Sequence, residues 1–112
     1  MLTYQEMEAA LKAIAAPRRR QILTLVRDGE LSAGEIASHF DVTRPAVSQH
    51  LNVLKEAGLV NERRNGTKRL YRARPEGLAG LKDFLEEFWE ERLDALKAEA
   101  EREETEKHGS DD

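Results

Sequence analysis

TRPAVSQHLNVLKEAGL, residues 43–59, is the stretch that decides the fold, because it predicts a helix with one apolar and one polar face. Thr43 is suited to cap a helix over residues 44–57, and Pro45 falls in the first turn, where its missing N–H costs nothing. Gly58 is suited to end the helix. The apolar positions fall within one narrow arc, which we expect to be buried: Val47, Leu51 and Leu54.

The opposite face of this helix carries short or medium polar side chains. Such groups can hydrogen-bond base edges in a major groove, and Gln49 can pair bidentately with adenine. An ordinary solvated helix face is the alternative, and His50 could instead pack at the edge of the helix. The predicted base-reading residues are Pro45, Ser48, Gln49 and Asn52. The predicted phosphate-binding residues of this segment are Thr43, Arg44, His50 and Lys55.

A second helix comes shortly before this one. Ser32 and Glu35 form a capping-box pattern that begins a helix over residues 33–40. Asp41-Val42 then form a tight turn into the next helix. Two helices joined in this way around a shared apolar core make a helix-turn-helix.

A hairpin is predicted over residues 59–74. Asn65-Gly66 lies between two strand-like runs, and this dipeptide is the strongest short-range hairpin signal. A two-residue turn at these positions determines which side chains are opposite. The residues expected to face each other are Arg63 with Lys68, and Glu62 with Arg69.

The tip of this hairpin is strongly basic. Its cations repel one another, and a polyanion would relieve that repulsion. Because Arg69 is partly engaged by Glu62, the other cations are the better candidates for phosphate or minor-groove contact. The alternative is a charged edge that protects the strands from aggregation. The predicted wing contacts are Arg63, Arg64, Lys68 and Arg69.

Three outer helices complete the predicted winged helix-turn-helix, over residues 3–15, 17–28 and 76–104. Thr3 and Glu6 form a capping-box pattern at the start of the first of them. Arg18-Arg19-Arg20 oppose the dipole at the start of the second of these, so phosphates or the acidic last helix should compensate them. The last helix has two apolar stripes that could fold back on its own domain. A homodimer explains them better, with interface residues Met7, Leu11, Leu81, Leu85, Phe88, Trp89, Leu93 and Leu96.

Composition sets outer limits on the function. The chain has 112 residues and no cysteine, which fits one domain over residues 1–104 and a disordered acidic tail over residues 105–112. Residues 1–75 hold 13 Lys and Arg against 8 Asp and Glu, whereas residues 76–112 hold 5 against 14. Residues 1–75, which contain the predicted helix-turn-helix and hairpin that we call the reading head, are therefore basic, although the whole chain is acidic. Without a signal peptide or an apolar span, we expect a soluble cytoplasmic protein and no membrane partner.

These patterns favour a regulator that binds double-stranded DNA over two other classes. A winged helix used only for protein–protein contact would more often expose apolar residues on its fourth helix and wing. An enzyme is not expected, because there is no cysteine, no Gly-rich phosphate loop and no histidine placed beside a nucleophile.

Several motifs resemble the ArsR-type winged-helix repressors. They are APRRRQIL (16–23), EIA (35–37), VTRPAVSQHL (42–51), LKEAGLV (54–60), Gly66, Leu70-Tyr71-Arg72 and Pro75-Glu76-Gly77-Leu78. The resemblance spans roughly residues 5 to 100 and implies a dimeric repressor of a palindromic operator. It also implies release of the DNA by an effector, often a metal ion.

The departures from the family pattern concern the effector. The stretch that carries a cysteine pair in metal-sensing members is here residues 35–41, without cysteine, and the last helix has no histidine before His108. Phe88-Trp89 resembles the metal-independent branch. We therefore expect no metal site and no cofactor, and the effector is unknown. A repressor switched by an unidentified metal or organic effector is the alternative, for which the candidate ligands are Glu86, Glu87, Glu90, Glu91 and Asp94.

Overall fold

The fold is mostly helical and contains the predicted hairpin, and a further two-residue strand pairs with the hairpin to make a small three-stranded antiparallel sheet. The structure, a computed structural model, describes residues 2–110, with side chains described up to residue 103. Its elements in chain order are α1 (Tyr4–Ala15), α2 (Pro17–Leu25), β1 (Leu31–Ser32), α3 (Ala33–Ala37), α4 (Arg44–Glu56), β2 (Val60–Asn65), β3 (Lys68–Ala73) and α5 (Pro75–Ser110).

Three helix ends differ from the predictions by three residues or more. α2 ends at Leu25 and not at residue 28. α3 ends at Ala37 and not at residue 40, because the N–H groups of His39 and Phe40 bond back only three residues, in a tighter turn. α5 continues to Ser110, six residues past its predicted end.

The predicted caps of three helices are confirmed. Thr3 and Glu6 form a capping box at the start of α1, and Ser32 and Glu35 form a second one at the start of α3. The Thr43 hydroxyl accepts the Ala46 N–H at 3.3 Å and caps α4. Local sequence therefore determines where these helices begin.

The hairpin forms, but its predicted register is wrong. Asn65 pairs with Lys68, so Gly66-Thr67 and not Asn65-Gly66 occupies the two central turn positions. Gly66 has φ +66°, and among the described residues a positive φ occurs only at glycines. This fits a type II′ turn, which needs glycine at its first central position and a negative φ at its second. Arg63 consequently lies opposite Leu70 instead of Lys68.

The core lies between the helices and the sheet. The predicted apolar arc of α4 is fully buried, which confirms it. The backbone of Gly77 in α5 approaches the carbonyl oxygen of Gly58 so closely that a Cβ at residue 77 would overlap it. The largest side chains buried in this core are Ile22, Val26, Ile36, Val47, Leu51, Leu54, Leu59 and Val60.

The chain divides into two compact units, Met1–Leu81 and Lys82–Asp112. The first holds the sheet, α1 to α4 and the start of α5. The second is helical, and in it the rings of Phe84 and Phe88 stack at 6.4 Å between centroids. The single domain over residues 1–104 and the disordered tail over residues 105–112 stay predictions, since the side chains from residue 104 onward and residues 111–112 lie outside the described part.

Candidate nucleic-acid interface

Helix α4 presents the predicted base-reading residues on its accessible side. Its apolar arc faces the core, and Pro45, Gln49 and Asn52 are exposed while Ser48 is partly exposed. These four side chains therefore lie outside the packed core and are free to contact a ligand surface. Their proposed role in base reading stays a prediction.

The start of α4 adds an exposed guanidinium. Arg44 is the first residue of the helix, and its side chain lies within 4 Å of the place where a Cβ of Gly34 would be, at the start of α3. The turn therefore brings the beginnings of both helices together.

Glu35 in α3 has a pKa below its usual value, because the Ser32 N–H and then the Ser32 side chain hydrogen-bond to its carboxylate.

Glu62 links the end of α4 to the wing, which we define as β2, β3 and their turn. Its carboxylate pairs with Lys55 Nζ of α4 at 3.0 Å and with Arg69 Nε of β3 at 3.5 Å. The predicted engagement of Arg69 by Glu62 is thus confirmed, although the two residues are not directly opposite in the ladder. The Glu62 side chain is only 15% exposed, whereas those of Lys55 and Arg69 are about half exposed.

Arg63 has an acidic partner that sequence reasoning missed. Its Nε and Nη2 donate to the two carboxylate oxygens of Glu30 at 2.8 and 3.0 Å. This hydrogen bond from Arg63 lowers the pKa of Glu30. The two residues are 33 positions apart, so no local pattern could have paired them.

The other two wing cations are not held in this way. The side chains of Arg64 and Lys68 are exposed, and neither makes a hydrogen bond or ion pair with another described residue, although the positive charge of Lys68 helps to lower the pKa of Glu35. They remain accessible for phosphate contact, as predicted for these two residues.

His50 lies on a different flank of α4, near Arg18 and Arg19. Burial lowers the pKa of its imidazole, and the positive charges of Arg19 and then Arg18 lower it further. The half-buried position favours packing at the helix edge over phosphate contact, the two alternatives that the sequence left open.

The side chains of the arginine cluster hydrogen-bond to nearby groups of α1 and α2. Arg19 donates to the carbonyl oxygens of Ala13 and Lys12, and Arg20 donates to those of Ile14 and Ala15. Arg18 lies over the Phe40 ring at 4.6 Å and donates to Gln21. Two of the arginines therefore satisfy the last carbonyls of α1, where positive charge is favourable. The expected compensation by phosphates or by the acidic last helix stays a prediction.

The predicted dimer residues fall into three groups by their exposure. Leu81 is only 5% exposed, so it belongs to the core of its own chain and not to an accessible surface. Met7 and Leu11 are partly buried against that core. The remaining residues of the set, all in α5, have 43–61% of their surface exposed: Leu85, Phe88, Trp89, Leu93 and Leu96.

The candidate metal ligands are not gathered into a site. Within the part of the chain that the structure describes, no three His, Asp or Glu side chains are close enough to hold a metal ion. His39 Nδ1 lies 2.9 Å from the Glu35 carbonyl oxygen, and the His108 side chain lies outside the described residues. The expected lack of a metal site stays a prediction.

No described helix combines the length and the apolar character that crossing a membrane requires.

Comparison with known proteins identifies relatives of this chain. Residues 16–62 match the pattern of a family described as bacterial regulatory protein, arsR family. The chain is 47% identical to the HTH-type transcriptional regulator Rv2034 of Mycobacterium tuberculosis over 80% of this chain and 83% of that protein. It is 45% identical to the transcriptional repressor SdpR of Bacillus subtilis over 54% of this chain and 67% of that protein.

A solved structure has the same fold. It is the solution structure of a homodimeric winged helix-turn-helix DNA-binding domain from Mycobacterium bovis, a possible ArsR-family transcriptional regulator. The TM-score is 0.64 and the sequence identity 35%, and the match covers 80% of this chain and 82% of that one.

Proposed function

Because the chain belongs to the ArsR family of bacterial regulatory proteins, we propose that it is a transcriptional repressor that binds a palindromic operator in double-stranded DNA as a homodimer. The observation that carries this proposal is the accessible face of α4. That face is polar, belongs to the second helix of a helix-turn-helix, and lies beside a basic wing.

Base reading is assigned to the start and middle of α4. Gln49 is exposed and can form two hydrogen bonds to one adenine, while Ser48 can contact several bases. Pro45 and Asn52 complete the surface that enters the groove. The free N–H groups at the N-terminus of α4, with Thr43 and Arg44, are suited to an adjacent phosphate.

Phosphate contact by the wing is assigned first to Arg64 and Lys68. Both are exposed cations that have no ion-pair partner among the described residues. Each such contact releases counterions from DNA, so binding should weaken steeply as salt is raised.

Homodimer formation is assigned to the exposed apolar residues of α5. Apolar surface costs about 25 cal/mol per Å² when it is left in water, and Trp89 is 61% exposed in the single chain. The relatives named above include a homodimeric domain, which supports the same assembly here. Two copies related by a two-fold axis would present two reading heads, as a palindrome requires.

The remaining features of the proposal concern control and location. We place the repressor in the cytoplasm, give it no enzymatic activity, and assign it no metal or cofactor. The assignment of no metal is supported by the lack of cysteine and by the separation of the carboxylates within the described part of the chain.

The experiment is fluorescence anisotropy with the full chain and labelled duplexes. Genomic fragments that the protein retains are sequenced, and the recovered site is compared with random duplex at low and moderate salt. We expect tighter binding to the recovered site and a steep loss of affinity with salt. Equal affinity for both duplexes, or no binding at low salt, would overturn the proposal. Release of the site by a metal ion would overturn the metal-independent part alone.

A further inference from the structure

Glu62 occupies an unusual position for a carboxylate on a face proposed to meet DNA. It lies on β2, between the last turn of α4 and strand β3. Two cations from these neighbours converge on it, Lys55 at 3.0 Å and Arg69 at 3.5 Å. A negative charge here repels phosphates, so its presence needs a reason other than affinity.

The burial of the three side chains differs. Glu62 is 15% exposed, and its two partners are 50% and 56% exposed. The carboxylate is thus the shielded centre of the group, and the cations cover it from outside. Removing the carboxylate charge would leave both cations with no described ion-pair partner, because neither makes another ion pair in the described chain.

We propose that Glu62 is a positioning residue that ties α4 to the wing and keeps Lys55 and Arg69 away from phosphates, so that it lowers the affinity for arbitrary DNA. This inference rests on the proposed DNA-binding function. Non-specific binding depends almost entirely on cations that neutralise phosphates. A cation held by an internal carboxylate contributes little to that neutralisation. Binding to an operator depends in addition on how α4 and the wing are placed relative to each other.

Two opposite effects follow for the operator and for random DNA when Glu62 loses its charge. On both duplexes, freed cations add phosphate contacts. On the operator alone, loosening the link between α4 and the wing weakens contacts that depend on their geometry. The ratio of operator affinity to random-duplex affinity should therefore fall.

The test compares wild type with Glu62→Gln, which keeps the shape and removes the charge. Each phosphate contact adds about 0.9 to the slope of log affinity against log salt, so one freed cation makes binding about 3.5-fold stronger when salt falls from about 0.2 M to about 0.05 M. We therefore compare the affinity of E62Q for random duplex with that of wild type at both salt concentrations. The ratio of the two affinities should rise about 3.5-fold between the higher and the lower salt if one cation is freed, and about 12-fold if two are freed.

Glu8→Gln is the matched control. Glu8 pairs with Lys12 at 3.4 Å on α1, so this variant also removes one negative charge and frees one cation, away from the wing. Its salt slope should equal that of wild type. An equal rise in both variants would mean that net charge alone acts, and this would overturn the inference.

A merely structural role would show itself differently. It would lower the thermal stability of E62Q and weaken binding to both duplexes without steepening the salt slope, and that outcome would also overturn the inference. If E62Q does not fold, Glu62→Asp retains the charge but shortens the side chain by one methylene, and a smaller rise in slope is expected. Wild type that binds no duplex at all would instead refute the proposed function, which separates the two failures.

Discussion

Helices α4 and α5 both carry apolar side chains at helical spacing, but the chain buries the stripe of α4 and exposes the α5 stripe beyond Leu81. Leu51 and Leu54 of α4 are fully buried, whereas Trp89 and Leu93 of α5 are 61% and 45% exposed. The same periodic pattern thus has two outcomes. A stripe indicates that a helix needs a partner, and only packing within the fold, or a second molecule, determines which partner covers it.

The largest effect should come from truncating the buried stripe. Leu51→Ala leaves a cavity in the core and should lower the free energy of unfolding by about 2–5 kcal/mol, measured by denaturant titration. Val53→Ala on the same helix is the control, since Val53 is 39% exposed and its loss should change stability by about 0.5 kcal/mol or less. Equal losses in both variants would remove the distinction between the two faces of α4.

The exposed stripe of α5 should matter for association and not for folding. Trp89→Ala should raise the dissociation constant of the proposed dimer roughly tenfold or more, because buried tryptophans dominate interface energies. Sedimentation equilibrium measures this constant, and exposed Glu90→Ala is the control. If W89A dimerises as wild type does, Trp89 is not an interface residue.

The contact between the beginning of α5 and the end of the α4 segment depends on glycine. A methyl group at residue 77 would overlap the Gly58 carbonyl oxygen, so Gly77→Ala should cost about 1–3 kcal/mol of stability. Gly29→Ala, where a Cβ meets nothing within 4 Å, should be tolerated. Thermal unfolding of both variants decides whether this close approach is a real constraint.

The cap of α4 should contribute less. Thr43→Ala removes the hydroxyl that accepts the Ala46 N–H and should cost about 1 kcal/mol. Thr43→Ser keeps the hydroxyl and should restore most of the loss. Failure of serine to restore stability would show that the threonine methyl group, and not the cap, is responsible.

The smallest effect should be a pH dependence that originates in α4. Because the folded protein holds the pKa of His50 below 6.5, the unfolded chain binds more protons in the window just below that value. The free energy of unfolding should therefore fall as pH drops from about 6.5 through the folded pKa, and level off below it. His50→Gln should flatten this window in denaturant titrations at successive pH values, and an unchanged slope would contradict the assignment.

Sequence reasoning worked best where the physical cause is local. The capping boxes at Thr3 and Ser32, and the apolar arc of α4, depend on residues within a few positions of one another. The family followed from motifs in the same segments. The hairpin was predicted, but its register was wrong. Glycine can supply the positive φ of a turn centred on Asn65-Gly66 or of one centred on Gly66-Thr67, and the two turns give strand pairings that differ by two residues.

The candidate interface was harder to predict than the fold. Beside Arg69, whose pairing with Glu62 was predicted, the wing was expected to offer three better placed cations, but Glu30 pairs with one of them, Arg63. Arg19 and Arg20 donate to carbonyls of α1, a contact that the sequence analysis did not predict. A side chain that is long and charged can reach many partners, so its sequence neighbours do not identify the one it takes.

By itself, the sequence determined which segments are helices and strands, where the caps lie, and which α4 face is apolar, because these follow from backbone geometry and side-chain periodicity. Only the tertiary structure decided which cations of the wing remain free, since the Glu30 and Arg63 carboxylate–guanidinium pair joins residues 33 positions apart. The burial of Leu81 and the exposure of Trp89 were likewise decided by packing. The physical reason is that hydrogen bonding along a helix acts over a few residues, whereas ion pairing and burial depend on distances that folding alone creates.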